Sequence, residues 1–383
     1  MIKFTEEHEM VRKMVRDFAQ KEMAPIAIEI DENERFAEET FKKMADLHLL
    51  GLPVSEKYGG AGFDLISYAI TLEEFAKVCA STTLSYSAHI SLCSTPIEMF
   101  GTEEQKLKYL VPLAKGEKLG AFGLTEPGAG SDAGGTQTTA EEQEDHYLIN
   151  GSKVFITNAE YAEIFVVTAV TNKGKGARGV SSFILEKDMA GFEIGKKEKK
   201  LGMRGSPTSM LHFTNVKVPK ENLLGKKNEG YKQFLMTLDG GRIGIAAQSL
   251  GIAKAAYEKT MQYAHDREQF GKKLIDFQAT QFKIADMVTK IMAAEELIYN
   301  SISLRNENLP HKKEASIAKL FTSEAAMDIT KEAIQIHGGY GYVQDYEVER
   351  YWRDAKLMEI GEGTSEVQRM VIFREALKEF SHR

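Results

Sequence analysis

A carboxylate flanked by glycines stands near the end of this sequence, in Ile360-Gly361-Glu362-Gly363-Thr364-Ser365-Glu366. Glycine on both sides of Glu362 leaves the main chain bare enough for a flat ligand to approach, as a base working on a weak carbon acid requires. Thr364 or Ser365 offers an N-cap to the periodic run Val367, Met370 and Val371, so Glu362 is expected in a turn just ahead of a helix. An acidic residue at such a place also complements a helix dipole, and Glu366 serves that purpose equally well.

Other stretches carry groups capable of binding. Leu124-Thr125-Glu126-Pro127-Gly128-Ala129-Gly130-Ser131-Asp132-Ala133 contains the spacing G-x-G-x-x-A of a dinucleotide loop. Gly134-Gly135 and a hairpin follow, however, where a Rossmann loop must open a helix. What remains is a plain turn, or a loop whose amides bind a polar ligand with the Thr125 and Ser131 hydroxyls. Gln335-Ile336-His337-Gly338-Gly339-Tyr340-Gly341 closes a helix with a glycine stop, and His337 is expected to be structural. Arg267-Glu268-Gln269-Phe270-Gly271 presents either a surface arginine or a guanidinium fixed for phosphate. Asp239 and Arg242, three residues apart, share a helix face and permit a simple ion pair.

Three regions must position these groups. Residues 1 to about 118 are helical in pattern: Met10, Val11, Met14, Val15 and Phe18 recur at helical intervals until Pro25, and Phe41, Met44 and Leu47 form a second stripe closed by Gly51-Leu52-Pro53. The loop Gly59-Gly60-Ala61-Gly62 precedes a longer helix with Ile66, Ile70 and Phe75, and a short helix starts near Thr102-Glu103-Glu104. The Met and Phe of these stripes read as core. From about 119 to 228 the period becomes that of strands. Asn150-Gly151 predicts a hairpin between 147–149 and 152–155, and β-branched runs follow at 164–170, 180–185 and 210–218. Val218-Pro219-Lys220-Glu221-Asn222 reads as a linker. From about 229 long helices return. Phe277, Ile284, Val288, Ile291 and Ile298 form one stripe, and Ile317, Leu320, Phe321 and Ala325 begin another, as in an antiparallel bundle. The order α, β, α defines an α+β chain and argues against a doubly wound sheet.

Composition narrows the partners. A chain of 383 residues, 43% hydrophobic and 27% charged, can bury a sizeable core divided among two or three domains. Its formal net charge of -7 disfavours nucleic acid, and Lys196, Lys197, Lys199 and Lys200 make only a short basic run, most simply a solvated loop. Cys79 and Cys93 provide neither a disulfide framework nor a zinc cluster, so a reducing compartment fits. Met1 to His8 reads as the start of an amphipathic helix without a secretory core, and 243–256 is too interrupted for a membrane span. A cytoplasmic protein is expected, or the processed form of an organellar enzyme.

The joint order of motifs is far more specific than any one of them. LTEPGAGSD, FITN at 155–158, LDGGRIGIAAQ at 238–248, REQFGK at 267–272, QIHGGYGY at 335–342 and RDAKLMEIGEGTSEVQ at 353–368 together resemble the acyl-CoA dehydrogenase family over essentially the whole chain. The resemblance implies a helical N-terminal domain at 1–118, a middle β-barrel-like domain at 119–228 and a C-terminal four-helix bundle at 229–383. It also implies one FAD per subunit and a homotetramer assembled as a dimer of dimers. The implied reaction is α,β-dehydrogenation of a fatty acyl-CoA to its trans-2-enoyl thioester, with electrons passed to electron-transferring flavoprotein.

Within the resemblance, Glu362 matches the base that removes the α-proton, and its backbone amide a donor to the thioester carbonyl. Subfamilies with the base on the bundle helix carry glutamate where this chain has Gly241, which supports Glu362. Phe122, Leu124, Thr125, Gly130 and Ser131 match the loop lining flavin and substrate, and Phe155 and Thr157 the segment beside the flavin ring, where many relatives have Trp in place of Phe155. Arg267, Phe270, Gln278, Gln335 and Gly339 match positions holding the FAD diphosphate and adenosine across a subunit boundary, completed by Thr364 and Glu366. Ser131, Asp239, Arg242 and Gly363 match substrate contacts, the middle two near the CoA moiety. Many relatives have Tyr at the position of Gly361, a change in the pocket wall. Ser81-Thr82-Thr83-Leu84-Ser85 supplies no cation for a dicarboxylic acyl group, so a neutral, saturated, short to medium chain is expected. The alternatives are an acyl-CoA oxidase-like enzyme and a non-catalytic flavin- or CoA-binding scaffold.

Overall fold

Up to Ala114 the chain is built of helices. In the computed structural model, which describes residues 4–381, α1 (Glu6–Phe18) starts at Thr5, whose hydroxyl accepts from the His8 amide while the His8 ring accepts from the Thr5 amide. Met1 to Lys3, part of the expected helix start, lie outside the described residues. Val11, Val15 and Phe18 form its buried stripe. Pro25 does not end the run as expected. Helical turns continue through Ala19–Met23 and Ala24–Ile26 into α2 (Ala27–Asn33), because Pro25 falls in a first turn, where its missing N–H is not needed. There follow α3 (Glu38–Asp46), α4 (Leu65–Ala76), α5 (Ala80–Ser87) and α6 (Thr95–Phe100), then the short α7 (Glu103–Gln105), capped by Thr102, and α8 (Val111–Ala114).

The middle of the chain is one sheet. Its strands are β1 (Gly120–Gly123), β2 (Thr139–Glu142), β3 (His146–Thr157), β4 (Ile164–Val170), β5 (Val180–Glu186), β6 (Phe192–Lys197), β7 (Thr208–Pro219) and β8 (Leu223–Leu224), in the order β6-β7-β3-β2-β4-β5-β8 with β1 beside β4. Ile149, Phe165, Phe183, Leu211 and Phe213 fill its core. Asn150-Gly151 is not a hairpin turn: both flanking segments pair with β7, and the register shifts between Ile149 and Gly151. Gly151 has φ +144°, and a Cβ there would lie 2.6 Å from the Thr138 hydroxyl, so the dipeptide continues one long strand opposite a bulge whose extra residue lies in β7, where Asn215 has φ +52°. The turn lies earlier, where the Gln143 amide donates to the His146 carbonyl. Nor is 218–222 a linker. Pro219 ends β7, Asn222 is buried, and β8 pairs with β5 before the chain leaves the sheet.

The remainder is helical. α9 (Gly230–Asp266) is followed by a hairpin of β9 (Glu268–Gln269) and β10 (Lys272–Lys273), then α10 (Gln278–Asn306), α11 (Lys312–His337), α12 (Val348–Ile360) and α13 (Ser365–Ser381). α9, α10 and α11 pack on one another, and α9 also packs against α4, so the two helical regions share a core. Of the expected stripe on α11 only Ala325 is buried: Phe321 is exposed and Ile317 and Leu320 are half-buried, while Ala315, Ala318, Thr322, Ala326 and Ile329 face inward. Glycine and alanine also crowd the facing part of α9, so helix backbones approach closely there and small side chains fill the seam. Among the described residues no helix is long and apolar enough to cross a membrane.

Candidate active site

α12 stops when the Gly361 amide donates to the Leu357 carbonyl at 2.8 Å, and α13 starts with the Thr364 hydroxyl accepting from the Val367 amide at 3.3 Å. Between them Glu362 has φ +53° and Gly363 φ +97°. A left-handed glutamate is unfavourable by about 1–2 kcal/mol and persists only where surroundings hold it. The holders are Lys319 and Gln368: the Gly363 carbonyl accepts from Lys319 Nζ at 2.8 Å and from Gln368 Nε2 at 2.9 Å. Among the described residues no hydrogen bond is donated by the Glu362 amide.

This turn sends the Glu362 side chain inward onto α9. Its Oε2 would lie 1.9 Å from a Cβ at Gly241, so only glycine leaves room for it. The residue as a whole is half-buried, but Oε2 is buried and has no hydrogen-bond partner. Burial raises the carboxyl pKa to about 7 against the opposing pull of Lys319 and then Arg242. Arg242 is buried and donates through Nη1 to Asp239 Oδ1 at 2.6 Å, leaving its Nε unpartnered. Burial raises the Asp239 pKa, with Arg242 opposing. One turn along α9, the space above Gly244 is bounded by Leu72 and the Ser87 hydroxyl. The Ser87 and Tyr68 hydroxyls are buried without partners, and Tyr68 feels the Glu362 charge. Orphaned polar atoms on both sides of a glycine-floored slot fit a site built for a ligand. A Cβ on Gly361, next to Glu362 in the chain, would meet no atom nearer than the Leu357 carbonyl oxygen at 3.4 Å. Glu366 is exposed in the first turn of α13, where its charge complements the helix.

The loop after β1 is a second component. Phe122 lies nearly parallel to Phe234, with ring centres 6.2 Å apart. Leu124 and Thr125 are half-buried, Gly130 and Ser131 exposed, and would-be Cβ atoms on Gly128 and Gly130 meet nothing within 4 Å. The loop is anchored from within. Glu126 is buried, accepting from Thr136, from the amides of Gln137 and Thr138, and from Lys153 Nζ at 2.7 Å. Lys153, fully buried, also donates to the Leu124 carbonyl at 3.0 Å. Burial pushes the Glu126 carboxyl up, but Lys153 outweighs it and the pKa falls to about 2. Two residues along β3 from Lys153, a second register shift against β7 puts Phe155 at φ +59° and 66% exposed, with Thr157 half-buried beyond it. A bulge thus turns an aromatic ring outward.

Arg267, Phe270, Gln278, Gln335 and Gly339 gather elsewhere, at the far end of the helical region. The Arg267 guanidinium sits 5.5 Å from the Tyr340 ring centre, beside Gly339. Phe270 at φ +54° and Gly271 at φ +76° form the two-residue turn between β9 and β10, which leaves the Phe270 ring 95% exposed. Gln278, Gln335 and Gly339 are exposed as well. Gln335 is sixteen residues along α11 from Lys319, about 24 Å at helical rise, so one subunit does not bring this group to the Glu362 turn. His337 is structural as expected: it stacks on Tyr263 at 4.2 Å and its Nδ1 pairs with the Ala333 carbonyl at 2.7 Å.

Sequence reading missed Lys319, Lys153, the role of Glu126 and the turn at Phe270. A lysine within a stripe of Ala, Ser and Thr on α11, and the pair Phe270-Gly271 between short strands, were the available signals.

Helical, sheet and helical regions thus surround a buried carboxylate and an open glycine-rich loop. Family models agree. Acyl-CoA dehydrogenase N-terminal, middle and C-terminal domains match residues 5–117, 121–216 and 228–377, and the chain belongs to the acyl-CoA dehydrogenase family. It is 54% identical over 368 residues to a short-chain specific acyl-CoA dehydrogenase of Clostridium acetobutylicum, covering 96% of this chain and 97% of that one. Butyryl-CoA dehydrogenase of Megasphaera elsdenii superimposes with a TM-score of 0.96 at 48% identity, covering 98% and 100% of the two chains. A chain from a structural study of the electron transferring flavoprotein of Acidaminococcus fermentans gives 0.97 at 50%, covering 98% and 99%. The chain is therefore an FAD-dependent acyl-CoA dehydrogenase. The unobstructed Gly128 and Gly130 and the outward Phe155 ring fit a planar cofactor.

Proposed function

We propose that the chain desaturates a short- to medium-chain, neutral acyl-CoA to its trans-2-enoyl thioester, with Glu362 as the base. The supporting observation is the buried, unpartnered Glu362 Oε2 over Gly241. The carboxylate takes the α-proton, forming a carboxylic acid, and the C–H electron pair passes into the enolate. A raised pKa narrows the gap to the weak carbon acid and so strengthens the base. The uncommitted Glu362 amide donates to the thioester oxygen as negative charge develops there. FAD, when bound, would supply the acceptor for the β-hydrogen and its electron pair, and the enolate's electron pair would then form the Cα–Cβ double bond. In this reading Phe122, Leu124, Thr125, Gly130, Ser131, Phe155 and Thr157 hold the ring system. Asp239, Arg242, Ser131 and Gly363 orient the thioester and its CoA.

Arg267, Phe270, Gln278, Gln335 and Gly339 then serve the diphosphate and adenosine of a neighbouring subunit's FAD, with Thr364 and Glu366 completing the site. Two observations support a homotetramer: the separation of this group from the Glu362 turn, and the exposed face Met370, Phe373, Leu377 and Phe380 on α13. Electron-transferring flavoprotein is the proposed acceptor, in keeping with the Acidaminococcus likeness.

The test is an anaerobic series of acyl-CoA chain lengths followed by flavin absorbance. Butyryl- to octanoyl-CoA should bleach the oxidised band, and glutaryl-CoA should bleach it far more slowly. Bleaching by none of them, or by glutaryl-CoA as fast as by butyryl-CoA, would contradict the reading.

A further inference from the structure

Lys319 is a long cation on the buried face of α11, where its neighbours Ala315, Ser316, Ala318, Thr322 and Ser323 are all small. It has no exposed surface and forms no ion pair among the described residues; its one hydrogen bond there is to the Gly363 carbonyl. Lysine is almost never fully buried without a charged partner, because desolvating an ammonium costs several kcal/mol. Holding the turn does not require that charge. Gln368, also buried, donates to the same Gly363 carbonyl and at 3.4 Å to the Glu362 carbonyl, so a neutral amide already performs the task.

What Lys319 adds is positive charge beside Glu362. The other cation there, Arg242, approaches from α9 with its charge largely spent on Asp239 at 2.6 Å. From α4 the Glu362 carboxyl faces the Tyr68 hydroxyl, which is neutral. Lys319 itself faces Glu362, Glu359 on α12, Arg242, and Glu324 on its own helix. We propose that Lys319 is a positioning residue of this reaction: seated against the Gly363 carbonyl, it is the counter-charge that keeps the buried Glu362 carboxyl in its proton-accepting form.

The proposal rests on the reading of Glu362 as the base, and the experiment separates the two. Lys319→Met removes bond and charge, whereas Lys319→Gln keeps an amide donor and removes only the charge. Anaerobic flavin reduction by butyryl-CoA is followed against pH in wild type and both FAD-loaded variants. Wild type should gain rate as pH rises through a midpoint. In both variants that midpoint should move up by about one unit, with about tenfold lower rate below it and recovery toward the wild-type plateau at higher pH. An unchanged midpoint, with or without a lower plateau, overturns the proposal and makes Lys319 structural. Loss of FAD or of the fold in both variants does the same. Failure of wild type to reduce its flavin with any acyl-CoA instead sinks the underlying reading.

Discussion

The Glu362 carboxylate occupies the place where a side chain at Gly241 would begin: Oε2 lies 1.9 Å from the position of a Cβ on that glycine. Glu362 and a side chain at position 241 exclude each other sterically, although the two positions are far apart in sequence, one on α9 and the other in the turn between α12 and α13. Gly241→Ala should therefore expel the carboxylate while leaving the helix sound, since alanine favours a helix interior by about 1 kcal/mol over glycine. Flavin reduction by butyryl-CoA should fall by about a hundredfold, the scale expected for displacing a reacting group by an ångström. Melting temperature and FAD content should stay near wild type, and stopped-flow absorbance with thermal unfolding checks both.

Burial of Glu362 also links stability to pH. Its folded pKa, about 7, exceeds the ordinary value of 4.5. Below the unfolded value both states are protonated and the group is silent. As pH rises through the folded value, the buried carboxylate ionises and stability is lost relative to an uncharged residue. Glu362→Gln should thus stabilise the cofactor-free protein at pH 8 by up to about 3 kcal/mol and leave it unchanged near pH 4. Denaturant titrations at the two pH values measure the difference.

The Glu126–Lys153 pair predicts the opposite sign. Lys153→Met strands a buried carboxylate beneath the loop bearing Thr125 and Ser131, and should destabilise the protein by about 3–5 kcal/mol. Glu126→Gln combined with Lys153→Met should recover much of that loss, which a double-mutant cycle of unfolding free energies reads directly.

Phe270 is 95% exposed, and among the described residues its one ring contact is the edgewise one with Phe277 at 6.4 Å. Phe270→Ala should leave subunit secondary structure unchanged, yet lower FAD retention and weaken assembly. Gel filtration and flavin content after dialysis would show it. Unchanged values in both would remove Phe270 from the proposed subunit boundary.

Much of this was legible in the sequence. Strongly periodic stretches gave the helix of Val11, Val15 and Phe18 and the strands at 164–170 and 180–185, because burial on one face leaves a local signature. The turn at Glu362 was also legible, since glycine and an N-cap announce themselves within a few residues. Asn150-Gly151 misled because the same dipeptide suits a turn or a strand facing a bulge, and that bulge lies in β7, some sixty residues later. Lys319 was invisible for a related reason. Its neighbours on α11 are too small to mark a buried face, and its partner carbonyl belongs to the turn after α12. Contacts set by distant segments leave no local pattern.

The central claim is that one carboxylate removes the α-proton. Glu362→Gln, loaded with FAD and mixed anaerobically with butyryl-CoA, measures it most directly. The variant should bind the thioester yet reduce its flavin slower than wild type by about a hundred- to ten-thousandfold, the range a general base supplies. A reductive rate equal to wild type would contradict the account.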